Sequence, residues 1–115
     1  MTRGARQRLG DIVLACDEIA GYLTEGPAED PLSVGIVFAA VTSRLIIIGA
    51  AIRGLDAQLL RQAPEVPWRQ VSDMRNHLAH RYFDTHHAIV LSTVVDDIPV
   101  LRAAALRLLA LVDES

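Results

Sequence analysis

At 115 residues the chain is the size of one domain, long enough for a single core and too short for two, so it reads as one unit spanning residues 1–115. Hydrophobic residues make up 51% and aromatics only 4%, which points to a core of Ala, Leu, Ile and Val on helices and away from an aromatic-rich β fold. The formal net charge of −3 excludes a domain that coats nucleic acid by bulk electrostatics, so any RNA contact has to be local and no DNA contact is expected.

Leu9, Ile12, Val13, Cys16, Ile19, Ala20 and Leu23 step by three and four, which lays one apolar stripe on a first helix from about residue 5 to 24. The segment "EGPAEDP" breaks the pattern, with Asp30 as N-cap and Pro31 at the first helical position of a second helix that runs to about residue 61. Within it, residues 34–52, "VGIVFAAVTSRLIIIGAAI", have the length of a membrane span. Arg44 at their middle is costly in lipid, so a buried helix packed against other helices or against a second copy is expected, and no membrane. Ile36, Val37, Ala40, Val41, Ile47 and Ile48 offer the apolar surface for such a dimer. "QAPEVPW" makes the next break, and Pro67 with Trp68 opens a third helix that ends near Tyr82. Thr85 caps a fourth helix starting at His86 and His87; Asp97 and Pro99 mark a new start within it, and Leu101, Ala104, Ala105, Leu108 and Val112 form its apolar stripe. The expected architecture is all-α, an up-and-down bundle of four to five helices.

Cys16 is the only cysteine, so no intramolecular disulfide forms, and Met1 is followed by polar residues without a secretory signal. A reducing cytoplasm is the expected compartment. All eleven basic residues are arginine, a side chain suited to bidentate phosphate contact.

The polar chemistry gathers in "MRNHLAHRY", residues 74–82. At about 100° per residue, Arg75 and Tyr82 return to within roughly 20° of one another, while His80 lies roughly 140° from Arg75. One regular helix cannot aim Arg75 and His80 at the same target. Either the helix ends before His80 or a second copy of the chain completes the site across a two-fold axis. Asn76 and His80, four apart, share a face, so the amide can hold the imidazole tautomer. A titratable imidazole, a permanent cation and an orienting amide are the minimum for cleaving an RNA phosphodiester through its 2′-hydroxyl without metal. The same residues near a helix end also satisfy its last carbonyls and dipole. A zinc reading of His77, His80, His86 and His87 lacks any recognised ligand spacing, so neither metal nor cofactor is expected.

The spacing Arg75, His80, Tyr82, with "IIIGAAIRGL" and "PEVPWRQVSDMRN" before it and "HRYFDT" and "IVLSTVVDDIPVL" after it, resembles the HepT-like toxins of the HEPN superfamily of ribonucleases. The likeness covers the chain from about residue 40 onward and is weaker in the first helix. It implies a HEPN-type helical bundle that dimerises so that two motif helices form one cleft, acting as a metal-independent endoribonuclease held in check by a minimal nucleotidyltransferase antitoxin. By position, Arg75 would bind the scissile phosphate, His80 would be the general acid and base, Asn76 would orient it, and Tyr82 would be the residue the antitoxin adenylylates. Two departures stand out: Ala50 replaces an acidic residue common after the glycine, and Leu91 replaces a tryptophan. The competing reading is a non-catalytic helical module that binds nucleotide or docks on a nucleotidyltransferase, with Arg75 and His80 making phosphate contacts alone.

Overall fold

In the computed structural model, residues 4–25, 35–73 and 96–114 are described, and they contain five helical segments and no strand. Helix α1 is Ala5–Glu25, α2 Gly35–Arg53, α3 the single turn Ala57–Leu60, α4 residues 68–73, and α5 Ile98–Glu114. The expectations for Asp30 and Pro31, for the end of the third helix near Tyr82, and for a helix start at Thr85 to His87 fall outside the described residues.

Helix α1 is the middle of the assembly, packed against both α2 and α5. Its stripe buries Leu9, Ile12, Cys16 and Ile19, the residues whose spacing returns to one face every turn. They meet Val41, Leu45 and Ile48 of α2 and Leu101, Ala104, Ala105 and Leu108 of α5. Each large aliphatic side chain buried here contributes on the order of 1.5–3 kcal/mol of transfer free energy. Ion pairs fix the directions: Arg6 reaches Asp113 at 3.3 Å and Asp17 reaches Arg102 at 2.6 Å, so α5 runs antiparallel to α1. Helix α2 is antiparallel as well, with Arg44 on Glu18 at 3.4 Å near one end and the Arg8 guanidinium lying over Gly54 at the other. A Cβ on Gly54 would occupy the space that guanidinium fills.

Two expectations for α2 need correction. The helix stops at Arg53 rather than near residue 61. Gly54 leaves the helix, and the Asp56 carboxylate accepts a bond from the Gln58 backbone N–H at 2.9 Å, capping α3 as a separate turn. The expected dimer surface also divides between two faces. Val41 and Ile48 are buried in the chain's own core and Val37 and Ala40 are half-buried, whereas Ile36 and Ile47 are exposed together with Ala39, Ser43, Ile46 and Ala50. Arg44 lies between the two faces and turns toward α1, where it meets Glu18. The segment Ile36–Arg53 is long and apolar enough to cross a membrane by length and composition, yet its inner face is occupied by α1.

The neighbours Ile47 and Ile48 therefore have opposite fates. Ile48→Ala should lower the free energy of unfolding by about 2–5 kcal/mol, and Ile47→Ala by less than about 0.5 kcal/mol, read from urea midpoints at unchanged slope.

Candidate functional site

The residues singled out from the sequence, Arg75, Asn76, His80 and Tyr82, lie outside the described residues, as do His77, His86, His87 and Leu91. What the structure describes is the ground on which the motif stands, up to Asp73, two positions before Arg75.

That ground is built by the turn between α2 and α4. Pro67 opens α4, and its carbonyl accepts the Val71 N–H at 3.0 Å. Trp68, which the sequence marks only as a helix opener, turns its indole back so that Nε1–H is shared by the carbonyls of Leu60, at 3.0 Å, and Ala63, at 2.9 Å. Both carbonyls also accept a backbone N–H within the turn, Leu60 from Ala63 at 3.0 Å and Ala63 from Val66 at 3.3 Å, so the indole adds a second bond to each and ties the turn to α4. From the other side Arg107 of α5 donates to the Gln62 carbonyl at 3.3 Å and pairs with Glu65 at 2.6 Å. The Glu65 carboxyl is held below its usual range, first by a backbone hydrogen bond at its own position and then by Arg107. Beneath these polar ties Ala63, Val66 and Val71 are buried in the common core.

Ser72 is the only buried polar or charged residue among those described, and its hydroxyl accepts a bond from Arg53 Nε at 3.4 Å. The last turn of α2 thus touches the last described turn of α4. No spacing pattern in the sequence joins Arg53 to Ser72, nineteen positions apart, because the link runs between two helices. Ala50 is exposed on the outer face of α2, so its side chain lies outside the core.

Elsewhere the chain holds an apolar cavity of about 380 Å³ between α1 and the start of α5, lined by Cys16, Ile19, Ala20, Leu23, Ile98, Pro99 and Arg102. Burial pushes the Cys16 thiol up to about 12, with Asp17 adding to the shift and Arg102 opposing it. Such a thiol stays protonated and is a poor nucleophile. Among the described residues no group of three His, Cys, Asp or Glu side chains is placed to hold a metal.

An all-α frame that anchors one helix at both ends of its first turns, directly before an Arg-Asn-x3-His-x-Tyr motif, defines a HEPN-type ribonuclease domain. The family model described as ribonuclease HepT-like matches residues 12–108, a range that includes both the anchored platform and the whole motif. The chain is 35% identical over 102 residues to the probable ribonuclease HepT of Thermococcus cleftensis, covering 89% of this chain and 93% of that protein. It is 29% identical over 86 residues to a putative RNase of Caldanaerobacter subterraneus, covering 75% and 73% of the two chains. A Methanocaldococcus jannaschii protein named as gamma-glutamylcyclotransferase and putative RNase is 25% identical across all of this chain, which matches 52% of its length. No solved structure matches. The chain belongs to the HepT-like ribonuclease family.

Two measurements check this platform. Trp68→Phe deletes the shared N–H and also the five-membered part of the indole that packs against the core, so it should destabilise by at least about 1–3 kcal/mol in thermal or urea unfolding. Cys16 should resist alkylation in the folded protein at neutral pH and react on unfolding. Because the native thiol keeps its proton up to about 12 while an ordinary cysteine thiol loses it near 9.0, the folded state binds more protons across that window, and stability should fall as pH rises through it.

Proposed function

We propose that the protein is the toxin of a toxin–antitoxin pair, a metal-independent endoribonuclease whose site combines Arg75, Asn76 and His80 in a cleft formed by two copies of the chain. The observation that carries this reading is that the intact motif, residues 74–82, falls inside the family match at residues 12–108. In the reaction, a neutral His80 imidazole takes the proton of an RNA 2′-hydroxyl and the 2′-oxygen attacks the adjacent phosphorus. The P–O5′ bond breaks, and the departing 5′-oxygen receives a proton from the second copy's imidazolium, giving a 2′,3′-cyclic phosphate and a 5′-hydroxyl. Arg75 stabilises the extra negative charge on the phosphorane oxygens as it develops. Asn76 fixes the imidazole tautomer through a side-chain amide bond.

The exposed outer face of α2 supports a two-copy arrangement: Ile36 is 82%, Ile46 37% and Ile47 38% exposed, and together with Ala39 and Ala50 they form one stripe that a second helix can cover. A minimal nucleotidyltransferase antitoxin would silence the enzyme by adenylylating Tyr82, placing a phosphate beside Arg75 and adding bulk at the cleft mouth. The lone, buried Cys16 is compatible with a reducing cytoplasm as the place of action.

Purified protein should cut cellular RNA in the presence of chelator, and His80→Ala and Arg75→Ala should each abolish cutting while keeping the helical circular-dichroism signal. Paired imidazoles in opposite protonation states should give a rate that falls on both sides of a pH optimum. Cutting that survives His80→Ala, or that stops only on chelation, would overturn the mechanism. Tyr82→Phe should still cleave RNA but gain no AMP mass from the partner and ATP; normal neutralisation of that variant would rule Tyr82 out as the switch.

A further inference from the structure

Four arginines of the described residues hold carboxylates: Arg6 pairs with Asp113, Arg44 with Glu18, Arg102 with Asp17 and Arg107 with Glu65. Arg53 is placed differently. It is exposed at the C-terminal end of α2, it meets no carboxylate among the described residues, and its Nε donates to the neutral hydroxyl of Ser72 at 3.4 Å. A guanidinium has five N–H donors, and a hydroxyl at Nε engages one of them, so the two terminal nitrogens keep their charge and geometry for an anion. Ser72 itself is only 7% exposed and cannot swing far, so the bond sets where the guanidinium stands.

Three peptide units separate Ser72 from Arg75. Consecutive Cα atoms are about 3.8 Å apart, so these two Cα atoms lie within about 11 Å of one another in any conformation. The Arg53 guanidinium is therefore confined to the neighbourhood of the residue proposed to hold the scissile phosphate, on an element that otherwise has no part in the motif. We infer that Arg53 is a second phosphate-binding residue of the ribonuclease, held in readiness by Ser72 and engaging a backbone phosphate of the RNA next to the one that is cut. The inference deepens the ribonuclease reading and rests on it. It also gives a chain of net charge −3 a local cation for a polyanion, in place of a bulk positive field. The simpler role for a cation at this position is to offset the dipole at the end of α2, which would be felt as stability and not as RNA affinity.

The two roles separate in the salt dependence of kcat/KM on a short labelled single-stranded RNA, measured in chelator for the full chain. Each phosphate contact on a single strand adds about 0.7 to the slope of log affinity against log salt. Arg53→Gln should lower that slope by about 0.7 and raise KM with kcat retained. Arg53→Lys should restore the slope, and Arg102→Gln, beside Asp17 on the opposite part of α1 from Gly54, should leave slope and KM as in the parent protein; Ser72→Ala, which releases the guanidinium without removing its charge, should raise KM less than Arg53→Gln does. Arg53→Met takes the same reading if Arg53→Gln does not fold. An unchanged slope in Arg53→Gln, or equal losses in Arg53→Gln and Ser72→Ala, would overturn the assignment while leaving the ribonuclease standing. If the parent protein neither cuts nor binds the RNA, the ribonuclease reading falls first and Arg53 with it.

Discussion

One indole N–H decides where the motif begins. Between Arg53 and Trp68 the chain must leave α2, make the isolated turn α3 and start α4, and such a passage strands carbonyls that no helix satisfies. Trp68 bridges the carbonyls of Leu60 and Ala63, and so converts a loop into a fixed corner. Its ring also packs against the core, which means that the hydrogen bonds hold only when α4 sits at one place against α2. Arg107 ties the same corner to α5. Helix α4, described to Asp73, thus starts from a point braced from three elements, a requirement for any site in which a cation and an imidazole must meet a phosphate within fractions of an ångström.

Helix α2 shows how an apolar sequence can serve two surfaces at once. Phe38, Val41, Leu45, Ile48 and Ile52 close the core, while Ile36, Ile46 and Ile47 face outward. Since a helix of small and aliphatic residues carries little contrast around its circumference, pattern alone does not tell its sides apart. Arg44 marks the boundary, because its pair with Glu18 commits one edge of the helix to α1. The remaining outer stripe ends at Ala50 and Arg53, so a surface suited to a second copy runs into the place where the RNA is proposed to lie. In the proposed two-copy arrangement, that continuity would place the seam beside the RNA.

The periodic parts of the fold were legible in the sequence for a physical reason: amphipathic stripes are written residue by residue. The stripes of α1 and α5 are buried as their spacing predicts, through Leu9, Ile12, Cys16 and Ile19 on one and Leu101, Ala104, Ala105 and Leu108 on the other, and the restart of the last helix at Ile98 follows from Asp97 and Pro99. The break after Arg53 was missed because Gly54 and Asp56 are single residues inside an apolar run, and only the bond from Gln58 N–H to the Asp56 carboxylate turns them into a stop. The two faces of α2 were not separable for want of contrast. The ties around the site, Trp68 to two carbonyls, Arg107 to Glu65 and Arg53 to Ser72, join positions with no common period, so they emerge only once the helices are packed. The proposed chemistry of the motif, by contrast, rests on one dimension alone: residues 74–82 carry all of its groups in nine consecutive positions, and they lie outside the described residues.

In the proposed mechanism this family member cuts RNA through the 2′-hydroxyl of the RNA itself, using an arginine and paired imidazoles in place of a metal. The most direct measurement is the chemistry of the new ends: mass spectrometry of RNA fragments produced by the full chain in excess chelator. The account predicts 2′,3′-cyclic phosphate and 5′-hydroxyl termini, absent when His80→Ala protein is used. Fragments ending in 3′-hydroxyl and 5′-phosphate, or a reaction that chelator stops, would contradict it.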